Sequence, residues 1–167
     1  DEAYIHYSPY YNNEKIKDFI LKYKNLFVLR TFSKLGLAGV RCGYGMAQEG
    51  VISLLHQVRA PFNVNSYALV QASALLEEKK YLKYICQENF KQLHFLSLSL
   101  SQLGFKTYPS TANFILVKGP LNLDKDLENK KVLIRSAQSF GFSADYYRIT
   151  IGTHKENQIL LKRLKEG

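Results

Sequence analysis

Cysteine, histidine and acid are what this sequence is short of. Its 167 residues include two cysteines, Cys42 and Cys86, which stand 44 positions apart with no CxxC pair. That spacing offers no disulfide framework, and two lone cysteines in a lysine-rich chain point to a reducing, cytoplasmic setting. The four histidines (His6, His56, His94, His154) are dispersed, with no two at i, i+4. A metal site is therefore not expected. No apolar run reaches the roughly 18 residues that a membrane span requires. The start, Asp1-Glu2-Ala3-Tyr4, has neither the basic head nor the apolar run of a signal peptide.

Acids are outnumbered, 14 against 23 Lys and Arg, for a net charge of +9. Such an excess can serve nucleic acid, but here no basic run exceeds two residues (Lys79-Lys80, Lys130-Lys131, Lys162-Arg163). Aromatics interleave with lysines at helical spacing, as in Tyr81-Leu82-Lys83-Tyr84. These are solvated helix faces rather than a nucleic-acid stripe, and a positive bias also suits anionic small molecules.

What the chain does have is core-forming material. It is 46% hydrophobic, with 12 Tyr and 10 Phe, which excludes disorder. The length fits one domain or one and a half. The first residue is not Met, and a piece of a longer protein is the expectation.

Residues 13–24 read as a helix with Ile16, Phe19, Ile20 and Tyr23 along one face. Residues 26–31 are a short apolar run, a buried strand by pattern. A glycine-rich break follows at residues 33–39, then a second strand over 40–47. This order predicts α/β layering. Residues 50–59 repeat the helical pattern through Ile52, Leu55 and Val58, and Pro61 ends it. From Ser66 a long helical region carries an inner stripe of Leu69, Ala72, Leu76, Leu93, Leu96, Leu100 and Leu103. The charges at residues 77–80 predict a bend, and Gly104 a stop. Strands are expected at 105–108, 113–118, 131–135 and 147–151. Thr153 and Glu156 have capping-box spacing, ahead of a last helix that faces inward with Ile159, Leu160 and Leu164. The expected division is residues 1–80, part of a larger α/β domain, and residues 81–167, a small C-terminal α+β domain.

The segment Thr31-Phe32-Ser33-Lys34-Leu35-Gly36-Leu37-Ala38-Gly39-Val40-Arg41 concentrates the chemistry. Small residues let a ligand approach the backbone. Ser33 offers a hydroxyl, and Arg41 a forked guanidinium suited to phosphate. Lys34 lies between them, where a Schiff-base lysine would be useful. Taken alone, an ordinary basic loop fits equally well.

The pattern Ser33-Lys34 followed by Gly39-Val40-Arg41-Cys42-Gly43-Tyr44 resembles the lysine loop of fold-type I pyridoxal-phosphate aminotransferases. Asp1-Glu2-Ala3-Tyr4, with Lys34 33 residues on, is similar to that family's D-E-A-Y. Three further segments resemble histidinol-phosphate aminotransferases: Arg59-Ala60-Pro61-Phe62-Asn63-Val64-Asn65, Tyr108-Pro109-Ser110-Thr111-Ala112-Asn113-Phe114, and Tyr147-Arg148-Ile149-Thr150-Ile151-Gly152-Thr153.

The resemblance implies the C-terminal half of the pyridoxal-phosphate transferase fold, an α/β/α large domain followed by a small α+β domain. It implies that Lys34 forms the Schiff base, that Asp1 pairs with the pyridine nitrogen, and that Tyr4 meets the phenolic oxygen. Ser33 and Arg41 would hold the cofactor phosphate. Arg148 would bind the substrate α-carboxylate, Arg135 the substrate phosphate, and Asn113 would shape the same wall. An Arg within a strand is equally explained by a structural ion pair. The implied reaction is amino transfer between L-histidinol phosphate and 2-oxoglutarate in a homodimer, with no activity in this half alone. The competing readings are a sister enzyme, such as a threonine-phosphate decarboxylase or another aminotransferase, and a non-enzymatic basic module.

Overall fold

The computed structural model describes residues 1–9 and 11–166. They gather into two compact units that divide between Ile85 and Cys86.

The first unit opens with a 3-10 turn at Ile5–Tyr7. It continues through α1 (Asn13–Lys22), β1 (Phe27–Thr31), a second 3-10 turn (Ala38–Val40), β2 (Gly43–Ala47), α2 (Glu49–Val58) and α3 (Ser66–Glu77). Asparagines start two of these helices. The Asn12 carboxamide accepts from the Lys15 amide at 3.1 Å, and that of Asn65 from the Ala68 amide at 2.8 Å, so each satisfies an otherwise orphaned donor. β1 and β2 pair antiparallel, with Phe27 opposite Ala47 and Thr31 opposite Gly43. Gly43 permits this close pairing, because a Cβ there would lie 2.6 Å from the Arg30 carbonyl oxygen. The second strand starts later than expected: Val40 is spent in the 3-10 turn, and Arg41 then takes a left-handed conformation (φ 54°) that redirects the chain into β2.

Phe32, Leu35, Cys42, Ala68, Ala72 and Leu75 form the core of this unit. The stripe expected on α3 is corrected by about one residue. Ala68, Ala72 and Leu75 are buried, whereas Leu69 and Leu76 are exposed. Leucines occur on both sides of this helix, so composition leaves its rotational phase open, and the small alanines decide it by allowing close approach. The expected apolar faces of α1 and α2 are not buried within the unit; Phe19, Tyr23, Leu55 and Val58 stay exposed.

The division falls inside α4 (Lys79–Gln102), which follows α3 after the single break residue Glu78. Beyond it lie β3 (Lys106–Thr107), β4 (Phe114–Lys118), α5 (Leu123–Asn129), β5 (Arg135–Ser136), β6 (Tyr146–Thr150) and α6 (His154–Lys165). The strands form one antiparallel sheet in the order β3-β4-β6-β5. Ile115 and Val117 of β4 and Tyr147 and Ile149 of β6 point to one face. There they pack with Leu96 and Leu100 of α4, Leu123 and Leu127 of α5, and Leu160 and Leu161 of α6. Tyr147 is fully buried; its hydroxyl donates to the Pro120 carbonyl at 2.8 Å and accepts from the Leu123 amide at 3.2 Å.

Two expectations are corrected in this unit. The strand expected at 131–135 pairs only from Arg135, because Lys131 turns left-handed (φ 63°) as it closes α5. On α6 Leu160 and Leu164 pack on the core as expected, joined by Leu161, whereas Ile159 is exposed. The capping box forms as expected: the Glu156 amide donates to Thr153 Oγ1 at 3.3 Å, and the Thr153 amide donates to Glu156 Oε2 at 2.7 Å. Among the described residues, no helix is long and apolar enough to cross a membrane.

Candidate active site

The candidate residues fall into two clusters, one in each unit. In the first unit, β1 runs directly into the loop that carries Lys34. Thr31 Oγ1 accepts from the Ser33 amide at 3.1 Å, and Phe32 accepts from the amides of Leu35 and Leu37. The chain thus coils tightly around Phe32, with Leu35 buried beneath. Gly36 adopts φ +98°, a backbone state that L side chains rarely take. Lys34 is left half-buried on the outer side of this coil, with its Nζ 5.3 Å from the centre of the Tyr4 ring.

Tyr4 and Asp1 belong to the segment lying against β1, where the Glu2 amide donates to the Leu29 carbonyl at 2.8 Å. Asp1 is exposed and folds back so that its Oδ1 accepts from the Ala3 amide at 2.9 Å. Ser33 is half-buried beside Lys34. Arg41 is exposed, and its guanidinium donates to the Ala38 carbonyl at 3.1 Å. A non-glycine residue in left-handed backbone is uncommon and often marks a functional turn.

Two features of this cluster were not singled out from the sequence. The Tyr7 hydroxyl donates to the Lys34 carbonyl, and Arg30 is buried in an ion pair with Glu2 at 2.8 Å. Burial alone would lower the Arg30 pKa; hydrogen bonds with Tyr44 and Glu2 outweigh it and raise the value. The signal available was an Arg at an inward position of a short apolar strand, two residues after Val28.

In the second unit, Arg135 of β5 stands directly opposite Arg148 of β6. Their side chains share one aromatic ring: the Arg135 guanidinium lies 4.8 Å and that of Arg148 5.9 Å from the centre of Phe140. Arg148 also lies 5.1 Å from Phe114. Among the described residues no carboxylate pairs with either arginine, and Arg148 Nε is buried without a hydrogen-bond partner. Among the described residues, the structural ion pair that the sequence also allowed is thus not formed. Asn113 precedes β4, and its carbonyl accepts from the Ile151 amide at 2.9 Å, which places it at the end of the strand pair that carries Arg148. Phe114 and Phe140 were not foreseen, although the first adjoins Asn113.

On the same sheet face Tyr108 and Tyr146 share a hydrogen bond at 3.1 Å. It draws the Tyr108 phenol below its ordinary pKa and pushes that of Tyr146 up. Lys118 pairs with Asp145 at 3.1 Å beside them.

As a donor set, the first cluster offers an amine, a carboxylate, a phenol, a hydroxyl and a guanidinium on one loop and the segment beside it. These groups fit a cofactor with an aldehyde, a ring nitrogen, a phenolic oxygen and a phosphate. The second cluster offers two cations with no carboxylate partner among the described residues.

Comparison with known proteins agrees with this chemistry. The chain is 38% identical to the histidinol-phosphate aminotransferase of Brevibacillus brevis over 99% of its own length and 46% of that protein. It therefore spans about half the length of the curated relatives it matches. The structure is similar to histidinol-phosphate aminotransferase from Sinorhizobium meliloti in complex with pyridoxal-5'-phosphate, with a TM-score of 0.87 and 25% identity over 99% of this chain and 47% of that one. It is also similar to L-threonine-O-3-phosphate decarboxylase from Porphyromonas gingivalis, with a TM-score of 0.81 and 26% identity over 98% of this chain and 52% of that one. The fold is accordingly part of the α/β pyridoxal-phosphate transferase fold, and pyridoxal phosphate is the cofactor that goes with it. Residues 1–164 match the family described as aminotransferase class I and II, and the chain belongs to that family.

Proposed function

We propose that the protein carrying this chain transfers an amino group between L-histidinol phosphate and 2-oxoglutarate. The observation that carries the reading is the opposed pair Arg135 and Arg148, unneutralised among the described residues. Like charges directly across a ladder are unfavourable, and a dianionic substrate removes the conflict. Histidinol phosphate brings a phosphate and 2-oxoglutarate two carboxylates, so one pair of cations serves both halves of the reaction. The 38% identity to histidinol-phosphate aminotransferases supports the same substrate.

Pyridoxal phosphate, when bound, supplies an aldehyde that condenses with amines and a ring that accepts the electron pair released at the substrate's α-carbon. Lys34 holds the aldehyde at rest. Its Nζ, when free, would be the general base that takes the proton from the substrate's α-carbon and the general acid that delivers it to the carbon of the former aldehyde. Asp1 faces the ring nitrogen and keeps it protonated. Tyr4 donates to the phenolic oxygen, and its ring also limits where the Lys34 Nζ can sit. Ser33 and Arg41 hold the cofactor phosphate. Arg148 grips the α-carboxylate of the keto acid with its fork, Arg135 meets the phosphate of the other substrate, and Asn113 shapes the wall beside them. The whole enzyme works as a cytoplasmic homodimer on small molecules, without nucleic acid or membrane, and this chain alone is inactive.

The second reading is a threonine-phosphate decarboxylase. The Porphyromonas structure favours it, and threonine phosphate also presents two anionic groups. Full-length protein supplied with histidinol phosphate and 2-oxoglutarate should form glutamate. Release of CO2 from threonine phosphate, with no glutamate formed, overturns the first reading in favour of the second.

A further inference from the structure

We propose that the Glu2–Arg30 ion pair positions Asp1 and Tyr4 against Lys34. This rests on the reading above, in which those three residues meet the cofactor.

Arg30 occupies an inward position of β1, with only 2% of its side chain exposed. An apolar residue there would pack without the desolvation that a guanidinium suffers. What the guanidinium adds is connection. Its Nε donates to Glu2 Oε2 at 2.8 Å, and its second terminal nitrogen lies 2.8 Å from the same oxygen. Its first terminal nitrogen donates to Asn13 Oδ1 at 2.8 Å, at the start of α1. The Tyr11 ring lies 5.3 Å from the guanidinium carbon. One side chain therefore fastens three segments: residues 1–4, the start of α1, and the strand that delivers Lys34 four residues later.

The anchoring is two-ended. Upstream, Glu2 is held by its side chain on Arg30 and by its amide on the Leu29 carbonyl at 2.8 Å. Downstream, the Tyr7 hydroxyl donates to the Lys34 carbonyl. Tyr4 lies between these anchors, and Asp1 directly precedes the first. The segment has no helix or strand of its own beyond the 3-10 turn at Ile5–Tyr7, so its path relative to Lys34 depends on such ties. A buried ion pair adds little net stability over an apolar replacement, so the contribution left to this one is the path it fixes for residues 1–4.

The test uses the full-length protein. Glu2→Ala leaves Arg30 buried without its partner and is expected to destabilise. The decisive variant is therefore Glu2→Ala combined with Arg30→Leu, which removes the pair and restores an apolar contact. The expected result is thermal stability close to the parent's, pyridoxal-phosphate binding weakened about tenfold, and a displaced pH midpoint of the lysine–cofactor absorbance. In the cofactor-free protein, amide hydrogen exchange should be faster at residues 2–5. Glu2→Gln, which keeps a hydrogen-bond acceptor, should recover part of the binding. If the parent shows a cofactor absorbance and the double variant retains the same midpoint, affinity and exchange, the positioning role is overturned while the functional reading stands. A parent that forms no lysine–cofactor absorbance overturns the functional reading and this inference with it.

Discussion

In the proposed function, Arg148 serves binding at the expense of stability. Its Nε is buried without a partner and its strand neighbour is another arginine. Arg148→Met should therefore raise the stability of the second unit by about 0.5 kcal/mol in urea denaturation, by relieving a like-charge pair. Arg148→Lys, which keeps the charge but loses the fork, should lower kcat/KM of the full-length enzyme roughly 10- to 100-fold. An Arg148→Met variant that is both less stable and fully active would contradict this assignment. His6 makes a second residue-scale case. Burial, reinforced by the charge of Arg30, lowers its pKa below the usual 6.5 against the opposing pull of Glu2. As pH falls through 6.5 the unfolded chain takes up the proton first, so folding stability declines until the lower folded-state pKa is reached. Replacing His6 with Gln should flatten that decline below pH 6.5 in denaturation midpoints. Lys34, Ser33 and Arg41 could be picked out as candidates because they lie close together in sequence. The partners of Arg30 were not, because Glu2 and Asn13 lie 28 and 17 residues away and only the fold brings them together.

At the scale of elements, α6 and the turn before it hold the end of β6, and with it Arg148. Asn157 binds this turn twice: its Oδ1 accepts from the Gly152 amide at 3.1 Å and its Nδ2 donates to the Gly152 carbonyl at 3.0 Å. The same Nδ2 donates to Gln92 Oε1 at 3.2 Å. Thr153→Ala removes the cap and should destabilise by about 1 kcal/mol. Asn157→Ala leaves buried polar groups unpaired and should cost about 1–3 kcal/mol, as read by urea denaturation. A smaller loss for Asn157 than for Thr153 would mean that the turn is held elsewhere. The cap was readable because it is local: Thr and Glu three apart suffice. Helix existence was equally readable, since the spacing of Ile16 to Tyr23 and of Leu93 to Leu103 is local too. Rotational phase was not, as α3 shows, because Leu69 and Leu76 are as apolar as the Ala68 and Leu75 that the core selects. Residues 131–134 failed for another reason. Their alternation is that of a strand, and Val132 and Ile134 do pack against the core, but the left-handed Lys131 keeps them off the ladder.

For the molecule as a whole, the two units differ in how completely each satisfies itself. The second has a four-stranded sheet with one face closed by three helices and a continuous core that includes the fully buried Leu96, Leu100, Val117 and Tyr147. The first has a two-stranded sheet, and such a pair is marginal without further packing. Its helices α1 and α2 bury no residue fully, and it exposes Leu21, Leu54, Val58, Phe62, Tyr67 and Val70. Apolar surface of that extent usually awaits a partner, and the curated relatives are about twice as long as this chain. Residues 79–167, which keep α4 whole, should therefore fold cooperatively on their own, with one sigmoidal urea transition and protected amides in β4 and β6. Residues 1–78 should show neither. Joining the remaining half of the protein to residues 1–78 should protect the amides of β1 and α3 from exchange. The opposite pattern, a cooperative 1–78 and an unstructured 79–167, would place the stability of this chain in the lysine-bearing unit. Stability would then be drawn from the cluster assigned to cofactor binding, instead of from the sheet that carries Arg135 and Arg148.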